Sequence, residues 1–340
     1  GIAPVRSSCL STMAASSQTE ESMMNYDSPA CGGDAADTVI EDLPTDVLSL
    51  MLRRLDGASL AALGCASSSF HDLATDPDTW RGLCLALWPS VAGLLDNSCC
   101  RGTGDGFHRA LFADAFPFPA TTAAAPGTVA PALPSRLVSA VDLHHKGVCI
   151  MSRVVETDTS SAWFLGSPFR VDALLQEGFS AASSITPAEL TLSWLLLDPT
   201  SGRVVNASSR RPVSVDRSWL TGETMARFTV VLGGVALDAA VTCDDRFGHV
   251  REVSLCVEDG DGGGVSGRDG LAAVAAAMAA PRQGRGAEAE AQAARQYGEL
   301  VKGKSARKEW KARREGLVDL CCSGVGAAAF VGFLVMLTCR

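Results

Sequence analysis

The sequence predicts an α+β protein: three short N-terminal helices, then a mostly antiparallel β domain, then a C-terminal helical stalk that ends in a single transmembrane helix. Three observations carry that prediction. Apolar residues recur at helical spacing over residues 39–117. Over 136–258 they give way to β-rich runs separated by turn signals, and residues 320–339, "LCCSGVGAAAFVGFLVMLTC", hold no charge.

The chain of 340 residues is 47% hydrophobic and 20% charged, enough for a real core and for more than one folded unit. Its formal net charge of -9 argues against nucleic acid as a partner, because phosphate binding draws on Lys and Arg clustered over a whole face. The charge is uneven: Glu20, Glu21, Asp27, Asp34, Asp37, Glu41 and Asp42 stand against Arg6, whereas residues 302–314 are basic. Residues 1–38, rich in Ser, Ala, Thr and acids, are expected to form a disordered acidic arm. No basic region leads into an apolar run there, so no signal peptide is expected. The 12 cysteines show neither a CxxC nor a Cys/His spacing for zinc, which fits a reducing, cytosolic setting and no metal or other cofactor.

Within residues 39–118 the apolar positions fall at Leu43, Val47, Leu48, Met51 and Leu55, then at Leu60, Leu63, Ala66, Phe70 and Leu73, then at Trp80, Leu83 and Leu87. Asp56-Gly57 separates the first helix from the second, and "TDPDTW" separates the second from the third, with Asp76 or Asp78 as N-cap. Residues 119–134, punctuated by Pro and Gly, read as a linker. The β domain, residues 135–280, is expected to pair "RLVSAVDL" with "GVCIMSRVVE" across "HHKG", and "LTLSWLLL" with "RVVNAS" across "DPTSG". "RFTVVL", "VALDAAVTC" and "HVREVSLCVE" continue the antiparallel pattern as a sandwich or a curled sheet. "DGDGGGVSGRDG" reads as a flexible tether, followed by a short helix over 271–280. Residues 281–316 read as a charged basic stalk, weakened at Gly298 and Gly303.

The tail, residues 317–339, is long enough for one bilayer crossing. Lys302, Lys304, Arg307, Lys308, Lys311, Arg313 and Arg314 precede it, with Trp310 as an interfacial anchor, so the expectation is a tail anchor on the cytosolic face of a membrane. The alternative placement is cytoplasm or nucleus.

The segment "DLPTDVLSLMLRRLDGASLAALGCASSSFHDLATDPDTWRGLCLALWP" resembles an F-box, over residues 40–89. Leu43-Pro44 stands at the family's opening Leu-Pro, Met51 at its usual Ile, Leu55 at the Leu before its turn, and Trp80 at its closing tryptophan. Ala66, Phe70 and Ser68-Ser69 depart from the usual Val, Trp and basic residues. "LWPSVAGLL" and "HRALFADAFPFP" are similar to stretches of plant F-box proteins with a short, non-repetitive C-terminal region. The resemblance implies a non-catalytic substrate receptor of a Skp-cullin-F-box (SCF) ubiquitin ligase. It implies a Skp-type adaptor and a cullin as partners, bound through Leu43, Pro44, Val47, Leu48, Met51, Leu55 and Trp80, with an unknown protein substrate held by the region after the F-box. The alternative is a membrane-anchored scaffold or ligand-binding protein that uses F-box-like helices outside a ligase.

Signals for catalysis are thin. His144, His145 and Lys146 share a turn in which adjacent side chains diverge, and Asp244-Asp245 with His249 reads as a hairpin loop. The glycine run lacks the strand–GxGxxG–helix setting and the Lys of a phosphate loop, and no GxSxG elbow is present. Trp163, Phe164, Trp194 and Trp219 divide between core and binding groove, and Phe169 and Arg170 are equally undecided.

Overall fold

The computed structural model describes residues 40, 43–96, 104, 106–119, 132–180, 185–244, 248–283 and 286–338. The expected acidic arm and most of the expected linker lie outside the described residues. The helical region holds α1 (Thr45–Leu52), α2 (Gly57–Leu63), α3 (Ser68–Ala74), α4 (Pro77–Leu87), α5 (Val91–Asp96) and α6 (Phe107–Ala115). Caps decide where these helices begin. Asp56 accepts the Ser59 N–H at 2.7 Å, Ser67 Oγ accepts that of Phe70 at 3.3 Å, and Asp76 accepts that of Thr79 at 3.1 Å, each cap contributing about 1 kcal/mol. The Ser67 cap splits what the periodicity read as one second helix into α2 and α3.

The strands are β1 (Phe118–Pro119), β2 (Arg136–His145), β3 (Val148–Asp158), β4 (Arg170–Ser180), β5 (Leu190–Leu197), β6 (Val204–Asn206), β7 (Ser214–Arg217), β8 (Glu223–Leu232), β9 (Val235–Asp244), β10 (His249–Glu258) and β11 (Arg282–Gln283). They form a four-stranded sheet in the order β3-β2-β5-β6 and a five-stranded sheet in the order β4-β10-β9-β8-β7; β1 pairs with β11. Every pairing is antiparallel. The β2–β3 turn is closed by Lys146 at φ 52 and Gly147 at φ 81, the backbone of a tight hairpin turn whose twist matches that of its strands. Between the sheets lies a core of Leu137, Val141, Leu192, Trp194, Phe228, Val241 and Leu255. Helix α7 (Ala162–Gly166) adds Phe164 to this core, and α8 (Gly267–Ala279) adds Leu271, Val274 and Met278.

The four-stranded sheet is buried on its second face as well. Val138, Ala140, Leu195, Leu197 and Val204 pack with Leu52, Leu60, Trp80, Trp88, Leu94 and Phe112 of the helical region. Residues 137–143 are consequently all buried, and "LVSAVDL" reads as a near-continuous apolar run instead of an alternation.

The glycine-rich stretch after β10 is built into the fold. Asp259 accepts the N–H groups of Asp261 and Gly263 at 2.9 and 2.8 Å. Glu258 bridges to Gly264, and Pro168 to Ser266. At Gly267 a Cβ would lie 1.9 Å from the Phe164 carbonyl oxygen, so α8 starts against α7 at a distance that only glycine permits.

The last helix, α9 (Gly286–Thr338), runs 53 residues without interruption at Gly298 or Gly303. Its first turns lie on the outer face of the five-stranded sheet, where Ala289 and Ala293 are buried. Tyr297 and Ser214 hydroxyls meet at 3.2 Å, and Lys304 Nζ reaches Glu258 at 2.6 Å.

The expected transmembrane helix is corrected by the structure. Among the described residues no helix is long and apolar enough to cross a membrane. Residues 320–338 are the end of α9, diluted by Gly324, Gly326 and Gly332. The expected tail anchor and its placement on the cytosolic face of a membrane fall with the expected transmembrane helix.

Candidate adaptor-binding face

Helix α1 divides its apolar residues between two sides. At 100° per residue Leu48 and Leu52 turn inward, 6% and 4% exposed, and Val47, Leu50 and Met51 turn outward, 40%, 62% and 48% exposed. Before the helix, Ile40, Leu43 and Pro44 are exposed too, and Leu43 N–H donates to the Ile40 carbonyl at 3.3 Å. Of the residues the sequence singled out, Leu43, Pro44, Val47 and Met51 are thus at the surface. Leu55 is half-buried, and Leu48 and Trp80 are interior. The outward Leu50 was missed, although it stands one helical turn from Val47.

Trp80 holds the back of this face. Its indole N–H donates to the Ala74 carbonyl at 2.7 Å, and its ring centroid lies 5.3 Å from that of Phe112. Phe112 also meets Trp88 at 6.1 Å and stacks on Phe116 at 4.6 Å. Helix α2 comes so close that a Cβ on Gly57 would stand 2.4 Å from Phe112 Cζ. Within this apolar shell Cys84 donates to the His108 carbonyl at 3.2 Å, and burial pushes its thiol up to about 12.

A family model described as F-box-like matches residues 40–86, from just before α1 to the end of α4. The chain is 37% identical to the "Probable F-box protein At2g36090" of Arabidopsis thaliana over 89% of this chain and 93% of the relative. It is 33% identical to the "F-box protein At3g44326" over 93% and 94%, and 34% identical to the "F-box protein At2g27310" over 88% and 95%, both from the same plant. The chain belongs to the plant F-box proteins. Such proteins generally act as substrate adaptors of SCF ubiquitin ligases and are typically non-catalytic, and the domain implies binding to a Skp-type adaptor and a cullin. No solved structure matches the chain.

The plant-type stretches of this F-box protein are the joints between its helices and its sheets. In "LWPS", Trp88 is core and Ser90 immediately precedes α5. Ser90 N–H and Oγ donate to the two oxygens of Asp142 on β2, at 2.9 and 2.5 Å. Asp142 is fully buried, and burial raises its pKa against the opposing bonds from Ser90 and Ser152. In "HRALFADAFPFP", Asp114 accepts the Val204 N–H at 3.3 Å and pairs with Arg203 at 3.1 Å. Beside it Arg282 places its N–H donors on the carbonyls of Asp114, Val204, Ala277, Met278 and Ala280 at 2.7–3.2 Å.

The other residues weighed from sequence are dispersed. His145 Nε2 accepts the Thr186 N–H at 3.2 Å, Lys146 pairs with Glu189 at 3.2 Å, and burial lowers the pKa of His144. Asp244 and His249 face each other across the β9–β10 ladder, and Asp245 lies outside the described residues. Among the described residues no group of His, Cys, Asp and Glu could hold a metal. Phe164, Phe169 and Trp194 are core, Arg170 pairs with Asp172 and Glu252, and Trp163 and Trp219 stand in solvent.

Proposed function

We propose that this F-box protein is the substrate-recognition subunit of an SCF-type ubiquitin ligase. The outward apolar row of α1, Val47, Leu50 and Met51, meets the Skp-type adaptor, and Leu43 and Pro44 take part as the F-box resemblance implies. Leu48, Leu55 and Trp80 hold that row from behind, and the β domain presents a protein substrate for ubiquitination. The observation that supports this reading most directly is the outward side of α1. Val47, Leu50 and Met51 are apolar yet 40–62% exposed on a helix whose other side is core. Such a row calls for a partner, and each of these side chains contributes about 1.5–3 kcal/mol when fully removed from water.

The test is co-purification of the full chain with a recombinant plant Skp-type adaptor, for the wild type and for Val47→Asp with Met51→Asp. The wild type is expected to retain adaptor, and the double variant to lose at least a hundredfold in affinity while melting like the wild type. Retention of the adaptor by the variant would refute the assignment.

A further inference from the structure

We propose that the edge strand β7 and the hollow at its start form the docking site for an extended acidic segment of the substrate protein, a reading that rests on the receptor role above. The hollow, about 530 Å³, opens between residues 210–213 and the first turns of α9. Arg210, Arg211, Pro212, Val213, Glu290 and Ala294 line it. Arg211 Nε stands 3.7 Å from Glu290, a loose pair at the surface, and with Arg210 the lining holds two guanidinium side chains and one carboxylate. In a chain of net charge -9 this is a local inversion of sign. Guanidinium forks with apolar walls suit a carboxylate side chain that brings its own hydrogen-bond acceptors.

The strand that leaves this hollow is open. Among the described residues β7 is the last strand of the five-stranded sheet and pairs with β8 alone, and Val215 and Asp216 are exposed. An edge of this kind offers backbone N–H and C=O groups to an extended chain. Pro212 and the flanking charges discourage pairing between copies. At the far end the turn after β7 displays Trp219, 93% exposed, and Leu220, 76% exposed. A large aromatic in that state is the residue type most enriched at binding hot spots. Val213 and Trp219 are six residues apart, so at strand rise they lie at most about 20 Å apart. The ligand this surface fits therefore carries carboxylates at one end and an apolar group about six residues away.

The probe is a fluorescein-labelled peptide of about seven residues, with two glutamates at one end and two leucines at the other, titrated by anisotropy into the full chain held with its adaptor. Saturable binding that weakens with added salt is expected. Arg210→Glu with Arg211→Glu should lose at least tenfold in affinity, and Trp219→Ser, at a side chain the fold does not need, several-fold. A peptide with lysines in place of the glutamates should not bind. Absence of saturable binding, equal binding by the charge-reversed variant, or equal binding of the lysine peptide would each overturn the proposal. Adaptor co-purification is read on the same samples. Its loss in the wild type defeats the receptor role itself, whereas its retention with no peptide binding defeats this site alone.

Discussion

Removing the Ser90–Asp142 joint should loosen the helices from the β domain before it unfolds either. Asp142 is fully buried and accepts two hydrogen bonds from Ser90, the residue just before α5. A hydrogen bond to a charged group contributes about 1.5–3 kcal/mol net. Ser90→Ala deletes the 2.5 Å bond from Oγ and leaves the N–H bond, so it should cost about 2 kcal/mol. Asp142→Ala deletes both, together with the bond from Ser152, and strands the Ser90 N–H, so it should cost about 3 kcal/mol even though burying the carboxylate is itself unfavourable. At roughly 2–4 °C per kcal/mol for a chain of this size class, the melting temperature should fall by about 6–12 °C in Asp142→Ala. The assay is a double-mutant cycle by urea denaturation, with hydrogen exchange of residues 88–96 as a local readout. The expected coupling between the two sites is about 1–2 kcal/mol. Additive losses, with no faster exchange in that segment, would show that Ser90 and Asp142 are not coupled across the joint and would refute the reasoning.

Gly57→Ala should lower the unfolding free energy in urea by about 1–3 kcal/mol, because its methyl group would meet the Phe112 ring at 2.4 Å and that ring is held among Trp80, Trp88 and Phe116; an unchanged midpoint would mean that the ring yields freely. Gly267→Ala should be more severe, since the neighbouring atom is the Phe164 carbonyl oxygen and not a side-chain end; hydrogen exchange across residues 162–171 should rise sharply, and a wild-type exchange pattern would contradict the close approach. Burial raises the pKa of Asp142 and of Asp238, the latter against the opposing Arg227 and the 2.7 Å bond from Thr229. Both carboxyls therefore bind protons more tightly in the folded chain, and their contribution to stability is full below the ordinary aspartate value of 3.8 and declines as pH rises through their raised values. Urea midpoints measured across that window should fall less with pH in Asp142→Asn than in the wild type, and identical slopes would place the dependence elsewhere. Asp76 contributes in the opposite sense, since the hydrogen bond from Thr79 lowers its pKa.

The sequence made visible the elements whose signals are local. Asp56 and Asp76 cap helices where their side chains can reach a free N–H, and "HHKG" and "DPTSG" close hairpins because Gly147 and Gly202 sit at positive φ. β4 went unread because its partner β10 carries register shifts at Val250/Glu252 and Val253/Ser254, which break the two-residue alternation along the pair. The stretch from Asp259 to Gly270 read as a tether because its glycines suggested freedom, whereas at Gly267 and Gly270 they permit close packing on Phe164 and Phe169. The site was legible as a set of apolar positions but not as inside and outside. Whether Trp80 is core depends on Phe112, which arrives from a later helix, and apolar spacing alone cannot report that. The end of the chain misled most, because absence of charge was taken for a membrane span.

The two-faced sheet ties these observations together. β2 and β5 send Val141, Leu143, Trp194 and Leu196 into the sandwich, and Val138, Ala140, Leu195 and Leu197 into the core shared with α4, α5 and α6. From α1 onward the helices and the sheets therefore share continuous packing, reinforced by Ser90–Asp142 on β2 and by Asp114 and Arg282 at β6. A flexible linker would let a substrate sample many positions relative to the adaptor. A shared core fixes β7 and its turn relative to α1 through the strands themselves, because a packed interior deforms little. On this geometry Val138→Ala or Leu195→Ala, in the shared core, should loosen β7 relative to α1, read as faster hydrogen exchange in both elements, and unchanged exchange would contradict the coupling.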